Sequence, residues 1–347
     1  MRRISKIAAA VSATAALALT ATACGESSTE ANKGEKKEKG VGLAFDVGGR
    51  DDHSFNESAA RGADKAKEEL GVNVEMLTAS NNETEADREQ RLTNLAQQGY
   101  DPVIGVGFSY GASIEKIAKK FPDTTFGLVD SVVEAPNVDS MVFSEHEGSY
   151  LAGVAAALKT KTDKVGFIGG VNNALIQKFQ AGFEQGVKAT DKKVKVTSEY
   201  LYPNNDKGFN DPAAAKEKAK GMLDRGIDII YTAAGQSGAG SIEAIHDHGD
   251  AWAIGVDSDQ YQQPGLAEYK DVIMTSVVKN VDVAVFDLIK SVEEGKPLTG
   301  VNAYTLKEDG VSLATSGGFI DDIMPKIEEA KKKIVSGEVT VSETPAK

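Results

Sequence analysis

Short apolar runs alternate with longer stretches of helical periodicity along this chain of 347 residues. A short apolar run between turn-forming residues predicts a buried strand, and apolar or small residues that recur every three or four positions predict a helix. The predicted strands lie at 41–47, 72–77, 103–106, 125–129, 138–143, 164–169, 194–200 and 272–277, and the second copy of the repeat described next adds two more. Runs at 303–306 and 311–313 predict a late hairpin. The predicted helices lie at 55–70, 83–98, 111–120, 150–158, 176–190, 212–225, 281–294 and 323–335. Strands and helices in alternation indicate an α/β fold.

Two segments, 99–130 and 226–257, are copies of one sequence unit. Both begin with Gly-x-Asp and an apolar run and pass through a Gly/Ser-rich turn into Ser-Ile-Glu. Both close on an apolar run that ends in aspartate, Asp130 and Asp257. A strand–turn–helix–strand unit that occurs twice predicts two similar lobes with parallel sheets. Because ligands of parallel sheets bind beyond the carboxyl ends of the strands, two such lobes predict a ligand cleft between their facing edges.

The N-terminus reads as a targeting signal rather than as part of the fold. Residues 1–6 carry basic side chains, residues 7–22 are uncharged and rich in alanine and leucine, and Cys24 follows. This arrangement resembles a bacterial lipoprotein signal, which implies a signal peptide at 1–23, cleavage before Cys24 and lipid on the sulfur of Cys24. Ala21 stands where such signals usually carry leucine, so a secreted protein with a free thiol is the alternative.

Composition narrows where the protein works and what it binds. The polar, charged segment 24–40 predicts a disordered tether. No stretch beyond the signal is long and apolar enough to span a bilayer, so we expect attachment to the cell membrane through the lipid anchor only, on the extracytoplasmic face. The formal net charge of −13 argues against nucleic acid as a partner, because phosphate binding requires a basic surface.

The residues after the first strand carry a distinctive motif. The strand ends in Asp46, two glycines follow, and Asp-x-Ser-Phe-Asn occupies 52–56. Further motifs are Gly182-Phe183 with Gly186-Val187, Gly208-Phe209-Asn210-Asp211-Pro212, Ile254-Gly255-Val256-Asp257-Ser258-Asp259-Gln260 and Ser276-Val277-Val278-Lys279. With these motifs in this order, residues 40–335 closely resemble the PnrA/BMP family of lipoproteins, the substrate-binding components of ABC importers for purine nucleosides.

The resemblance implies a fold, a function and a set of partners. The implied fold is that of type I periplasmic binding proteins, α/β with two Rossmann-like lobes that have parallel sheets and are joined by a hinge. The implied function is non-enzymatic capture of a purine nucleoside (guanosine, inosine or adenosine) by a monomer without cofactor or metal. The nucleoside would then pass to an ABC permease and its ATPase.

The family's pattern of crossings between lobes also implies domain boundaries. The N-terminal lobe would comprise 41–144 plus 277–300, and the C-terminal lobe 145–276 plus 301–336. The segment 337–347 is then left as a flexible tail.

Individual residues can be carried over from the family by position. The implied ligand contacts are Asp46, Phe55, Asn56, Asp130, Phe209, Gly235, Asp257 and Lys279. Phe55 and Phe209 resemble the aromatic residues that sandwich the base, and Asp46 resembles the residue that reads the purine edge. Asp257 and Lys279 resemble the groups that hold the ribose hydroxyls.

The chemistry of these residue types agrees with the implied roles. Phe55 and Phe209 both have polar neighbours in sequence, which are poor flanks for core residues. Stacking of a base on an aromatic ring is worth about 1–3 kcal/mol. Carboxylates accept hydrogen bonds from ring N–H groups and ribose hydroxyls. Because Phe55 belongs to the first predicted lobe and Phe209 to the second, a bound ligand would bridge the lobes and favour their closure.

Two other functions remain open at this point. The run from Asp46 to Asp52 superficially resembles the calcium-binding aspartates of nucleoside hydrolases, although Ala44 replaces the first aspartate and the spacing differs by one residue. A receptor of the same fold for a sugar or signalling ligand is the second alternative, since sugars also stack on aromatic rings. His246 and His248 have the residue type of metal ligands but lack an obvious fourth partner. The Gly-rich turns match neither GxGxxG nor Walker A.

Overall fold

The structure is a computed structural model that describes residues 40–80 and 83–346. The predicted signal peptide at 1–23, the lipidation site Cys24 and nearly all of the predicted tether lie outside the described residues. Within these two ranges, no helix has the length and apolar character needed to cross a bilayer.

Strands and helices alternate along the chain, as the apolar pattern predicts. The strands are β1 (Val41–Phe45), β2 (Val74–Leu77), β3 (Val103–Val106), β4 (Phe126–Val129), β5 (Val138–Phe143), β6 (Lys164–Val171), β7 (Lys195–Tyr202), β8 (Ile229–Ala233), β9 (Trp252–Asp257), β10 (Ile273–Lys279), β11 (Gly300–Tyr304) and β12 (Val311–Leu313). The helices are α1 (Phe55–Leu70), α2 (Glu85–Gln98), α3 (Gly111–Lys120), α4 (Glu145–Lys159), α5 (Ala174–Thr190), α6 (Pro212–Leu223), α7 (Gly238–His248), α8 (Val281–Glu293) and α9 (Met324–Val335).

In the described part of the chain the strands form two sheets of six, and each sheet is the centre of one lobe. The first sheet has the order β11-β5-β4-β3-β1-β2, with all neighbours parallel. The second has the order β12-β10-β9-β8-β6-β7 and is parallel except for β12, which runs antiparallel to β10. The central strands β1, β3, β4 and β8 are buried along their whole length, as expected for strands with helices on both faces. The prediction of a two-lobed α/β fold is confirmed.

Helices pair on the faces of each sheet. In the first lobe α1 packs with α8 and α2 with α3; in the second lobe α4 packs with α5 and α6 with α7. The small-residue segment 150–158 lies in α4. Two glycines of the neighbouring helix α5, Gly182 and Gly186, allow the backbones of α4 and α5 to come into contact. A Cβ atom at Gly182 would lie 2.0 Å from the carbonyl oxygen of His146, and one at Gly186 would lie 2.1 Å from that of Tyr150. These glycines set the position of α4, whose first residue lies at the junction of the lobes.

The chain passes between the sheets at three places: from β5 into α4, from β10 into α8, and from β11 to β12. The second and third passages fall slightly beyond the predicted boundaries at 277 and 301, because β10 stays in the second sheet to Lys279 and β11 pairs with β5 in the first. The predicted hairpin of 303–306 with 311–313 is wrong. These neighbouring strands pair with different sheets, since the third passage lies between them.

The segment after α9 packs on the second lobe, although the sequence predicts a loose tail. The side-chain amide of Gln185 in α5 donates to the carbonyl oxygen of Thr340 at 3.0 Å and accepts from the backbone N–H of Ser342 at 2.8 Å. Val341, between them, is 7% exposed and belongs to the core. The burial of Val341 and the two hydrogen bonds of the Gln185 amide therefore hold the otherwise polar C-terminal segment on the second lobe.

Candidate functional site

One cavity lies between the facing edges of the two sheets. The empty space inside it, including open solvent at its mouth, is about 510 Å³. Its polar wall comes from strand ends: Asp46 follows β1, Asp130 follows β4, and Asp257 and Lys279 are the last residues of β9 and β10. The cavity thus lies beyond the carboxyl ends of parallel strands, where the repeat predicts a ligand cleft.

All the predicted contact residues line this cavity. They are Asp46, Phe55, Asn56, Asp130, Phe209, Gly235, Asp257 and Lys279. The repeat aspartates Asp130 and Asp257 share a left-handed backbone, with φ of 69° and 63°, which few residue types other than glycine and Asp/Asn adopt. This shared turn directs a carboxylate from each lobe to the same cavity. The geometry brings the residues together, while their roles toward a ligand stay predictions.

Lys279 is the centre of an ion cluster in the cavity wall. Its ammonium donates to Asp130 Oδ2 at 2.7 Å and lies 3.8 Å from Asp257 Oδ1. It also lies 4.6 Å from the ring centre of Phe55, within range of a cation–π contact. Burial alone would lower the pKa of Lys279, but Asp130, Asp257 and Glu145 raise it above its usual value, so the side chain stays charged. Burial raises the pKa of Asp257, against the opposing effects of Lys279 and Ser54.

A second polar network surrounds Asn56 in the cavity wall. The amide nitrogen of Asn56 donates to Asp46 Oδ1 at 2.8 Å and to Asp52 Oδ2 at 3.1 Å, while the amide oxygen of Asn56 has no hydrogen-bond partner. Burial raises the pKa of Asp46 well above its usual value, although the bond from Asn56 opposes this effect. Gly107 leaves space for Asp46, because a Cβ at that position would lie 2.4 Å from Asp46 Oδ2. The network orients Asp46 and leaves an unpaired acceptor.

Asp52 holds the first turn of α1, a role that the sequence did not assign. Its carboxylate accepts from the backbone N–H groups of Ser54 and Asn56 at 2.9 Å and of Glu57 at 3.1 Å. Unpaired N–H groups at a helix start favour such an acceptor. Burial raises the pKa of Asp52 to about 7, and these backbone bonds oppose the shift. The aspartate two residues before Ser54 is the sequence signal that could have identified this cap.

The calcium alternative does not fit this geometry. The side chain of Asp51 is 88% exposed, whereas Asp52 is buried and its oxygens are occupied by the start of α1. Across the described residues, no group of three or more His, Cys, Asp and Glu side chains is arranged to hold a metal ion. Within the same described residues, His246 and His248 belong to no such group.

Aromatic and aliphatic side chains form the rest of the wall. Phe55 and Phe209 are both half-buried, as expected for rings that face a cavity rather than a core. The sequence missed Phe108, whose ring lies edge-on to Phe209 with centres 6.1 Å apart, and also Phe179 of α5. A signal for Phe108 exists: in the repeat copy that starts at Gly99 it holds the position of Gly235 in the copy that starts at Gly226. The other lining residues are Val47, Asp52, Gly107, Leu175, Ile176, Ala233 and Val256.

Hydrogen bonds between the lobes close the cavity on two sides. Ser54 Oγ of the first lobe donates to Asp257 Oδ2 at 2.7 Å, and Ser258 Oγ of the second donates to the carbonyl oxygen of Ser54 at 2.7 Å. Ser109 Oγ, beyond β3, donates to Asp206 Oδ2 at 2.8 Å. The described conformation is therefore one in which the two lobes are in direct contact around the cavity.

The sequence matches a known protein family over most of its length. A family model described as "ABC transporter substrate-binding protein PnrA-like" matches residues 39–345. The chain is 35% identical over 343 residues to the CD4+ T-cell-stimulating antigen of Listeria innocua, covering 93% of this chain and 94% of that protein. It is 33% identical over 316 residues to the ABC transporter nucleoside-binding protein BmpA of Lactococcus lactis subsp. cremoris, covering 86% and 88%.

Solved structures agree with this comparison. An ABC transporter solute-binding protein from Aeropyrum pernix K1 superposes with a TM-score of 0.77 at 29% sequence identity, covering 88% of this chain and 94% of that one. A glucose-galactose-binding protein from Geobacillus stearothermophilus superposes with a TM-score of 0.58 at 18% identity, a likeness of fold alone.

Proposed function

This chain belongs to the PnrA-like family of ABC transporter substrate-binding proteins, and from that premise we propose that it captures purine nucleosides. The observation that carries the proposal is the shared cavity. An aromatic residue from each lobe lines it, together with carboxylates from both lobes and the ammonium of Lys279 from the second. A relative that is 33% identical is named a nucleoside-binding protein, which supports the same ligand class.

Unpaired acceptors in the wall also support a nucleoside. Asn56 Oδ1 and Asp130 Oδ1 are buried without a hydrogen-bond partner, so a ligand that donates hydrogen bonds satisfies them. A purine nucleoside supplies such donors from its ribose hydroxyls and from N–H groups of the base, and its flat base supplies faces for stacking. Among the described lining residues, Lys279 is the charged donor that the wall offers in return.

In this proposal, different residues contact different parts of the nucleoside. Phe55 and Phe209 stack on the two faces of the base, and Asp46, oriented by Asn56, accepts from the base edge. Asp257 and Lys279 hold the ribose hydroxyls, with Asp130 and Gly235 completing the contacts. Because these groups come from both lobes, only the closed arrangement provides all of them, and binding energy favours closure.

The same proposal extends to location and partners. Cys24 carries the lipid that holds the protein at the extracytoplasmic face, as expected for a family whose archaeal relatives include proteins named lipoproteins. The protein acts as a monomer and passes its ligand to an ABC permease, whose ATPase provides the energy. Mass spectrometry of the protein isolated from membranes tests the anchor, since lipid on Cys24 adds a defined mass to the N-terminal peptide.

Calorimetric titration of the purified protein with guanosine, inosine and adenosine tests the ligand class. We expect saturable binding of at least one of them with one site per chain. Parallel titrations with glucose, galactose and arabinose provide the comparison. Binding of a sugar without binding of any nucleoside would overturn the proposal in favour of the sugar alternative, and release of free base from inosine in the presence of calcium would overturn it in favour of a hydrolase.

A further inference from the structure

A buried carboxyl group, Glu145, lies behind the cavity and has no part in the contacts described so far. It is the first residue of α4 and follows β5 by way of Ser144, so it lies where the chain passes from the first lobe to the second. Glu145 is 1% exposed and does not line the cavity, and neither of its oxygens has a hydrogen-bond partner among the described residues. A buried carboxyl without hydrogen bonds is costly, so its presence requires a reason.

Glu145 lies between two lysines. Its Oε1 is 3.8 Å from the ammonium of Lys279 in β10, and its Oε2 is 3.8 Å from the ammonium of Lys178 in α5. The other titratable groups that face this cluster are Asp130 after β4, Asp257 of β9, Tyr231 of β8, His146 of α4, and Glu343 of the C-terminal segment. Glu343 lies 3.7 Å from Lys178. Glu145, Asp130 and Asp257 thus surround one buried ammonium, with more negative than positive charge.

The partners of Lys279 come from different lobes. Lys279, Asp257 and Glu145 belong to elements of the second lobe, whereas Asp130 follows β4 of the first. Asp130 accepts a direct bond from Lys279 at 2.7 Å, and Glu145 lies at 3.8 Å without one. Separation of the lobes removes Asp130 from the ammonium but leaves Glu145 beside it.

We propose that Glu145 is a positioning residue for ligand binding, which serves as a counter-ion of Lys279 while the lobes are apart and is replaced by Asp130, with uptake of one proton from solvent, when the lobes close. The inference rests on the proposed function, because it requires a ligand that closes the lobes. Glu145 would not contact the ligand itself but would act through Lys279, which contacts the ligand in the proposed function.

Electrostatics gives the direction of the proton transfer. Burial, opposed by Lys279 and reinforced by Asp130, raises the pKa of Glu145 to about 7 in the closed arrangement. With the lobes apart, Asp130 no longer contributes and solvent reaches the cleft, so the pKa of Glu145 lies nearer its ordinary value of about 4.3. A carboxyl whose pKa rises on closure binds a proton on closure. Low pH therefore favours the closed state, and this advantage is lost as the pH rises through about 7.

Calorimetry with guanosine in buffers of different ionisation enthalpy measures this proton directly. For the wild-type protein we expect net proton uptake on guanosine binding that falls as the pH rises from 6 to 8, together with a higher Kd at pH 8 than at pH 6. In Glu145→Gln, which keeps the size of the neutral carboxyl, we expect the proton uptake at pH 7 to fall measurably below that of the wild type and the pH dependence of Kd to flatten.

Glu343→Gln is the matched control, because Glu343 contacts Lys178 from the exposed side and has no contact with Lys279. It should keep the wild-type proton uptake. Wild-type binding without proton uptake, or unchanged uptake in Glu145→Gln, would overturn the inference and leave the proposed function intact. Failure of guanosine, inosine and adenosine to bind would instead refute the proposed function itself.

A measurement on the wild-type protein covers the case in which Glu145→Gln does not fold. The infrared difference spectrum between ligand-free and guanosine-bound protein at pH 7 should contain the C=O stretching band of a newly protonated carboxyl group. The absence of that band in the bound protein would also overturn the inference.

Discussion

At the scale of residues, the cavity is defined by side chains whose hydrogen bonds the protein leaves incomplete. Asn56 donates its amide N–H groups to Asp46 and Asp52 but keeps a free acceptor, and Asp130 has one oxygen on Lys279 and the other unpaired. Such atoms are rare in protein interiors because an unsatisfied polar group costs about 1–3 kcal/mol. Their presence at one cavity favours a ligand rich in donors.

Replacement of Phe209 by alanine should weaken guanosine binding with little loss of stability. Loss of one stacking face is expected to raise the Kd by about 5- to 150-fold, corresponding to about 1–3 kcal/mol, as measured by calorimetry. Phe209 is only half-buried, so the midpoint of thermal unfolding should fall little. Phe183→Leu is the control: Phe183 is 0% exposed in the core, and its replacement should lower stability while sparing affinity. Wild-type affinity in Phe209→Ala would contradict the stacking role.

At the scale of elements, the start of α1 fixes several cavity groups at once. Phe55 and Asn56 are the first residues of the helix, Ser54 before them bonds to Asp257 of the other lobe, and Asp52 ties the turn together. One helix start therefore presents an aromatic ring, an amide and a contact between the lobes. The repeated strand-end turns at Asp130 and Asp257 add one carboxylate from each lobe to the cavity wall.

Asp52→Asn should loosen this helix start. The replacement puts an NH₂ group at the oxygen that accepts from the backbone and the side chain of Asn56, so at least one bond is lost. At pH 8 we expect a loss of about 1–2 kcal/mol in the free energy of unfolding, the usual range for a helix cap, together with weaker guanosine binding. Denaturant unfolding and calorimetry measure the two effects. Asp51→Asn, at a side chain that is 88% exposed, should change neither; equal effects of both variants would refute the capping role.

At the scale of the whole molecule, contacts between lobes that never touch the ligand should affect affinity. Ser109 does not line the cavity, yet its hydroxyl donates to Asp206 of the second lobe at 2.8 Å, a contact that requires the two lobes to lie together. Closure and binding are thermodynamically linked, so a bond made only on closure adds to affinity.

Ser109→Ala should therefore bind guanosine about 2- to 10-fold more weakly, corresponding to about 0.5–1.5 kcal/mol, through faster dissociation in stopped-flow measurements. Ser336→Ala is the control, because the hydroxyl of Ser336 bonds to the carbonyl oxygen of Lys333 within the same helix end. It should leave the dissociation rate unchanged. Equal dissociation rates for wild type and Ser109→Ala would show that this bond has no part in closure.

The sequence by itself determined the secondary structure, the two-lobed α/β class and the family, which the family match over 39–345 confirms. Strand and helix positions depend on local apolar spacing, and the repeat marked Asp130 and Asp257 as equivalent strand ends. The motifs also named a set of residues that the fold gathers around one cavity, although their binding roles remain predictions.

Only the tertiary structure decided which distant groups meet. The strands at 300–304 and 311–313 are neighbours in sequence but pair with different sheets, because non-local burial outweighs the tendency of adjacent strands to form a hairpin. Phe108 beside Phe209, Asp52 under the start of α1, and Glu145 beside Lys279 likewise depend on the packing of one lobe or the contact of two. The local spacing of apolar residues specifies which face of a helix or strand is buried. The electrostatic environment of a charged side chain depends instead on residues that are distant in sequence, and the order of residues along the chain does not show which of them come close.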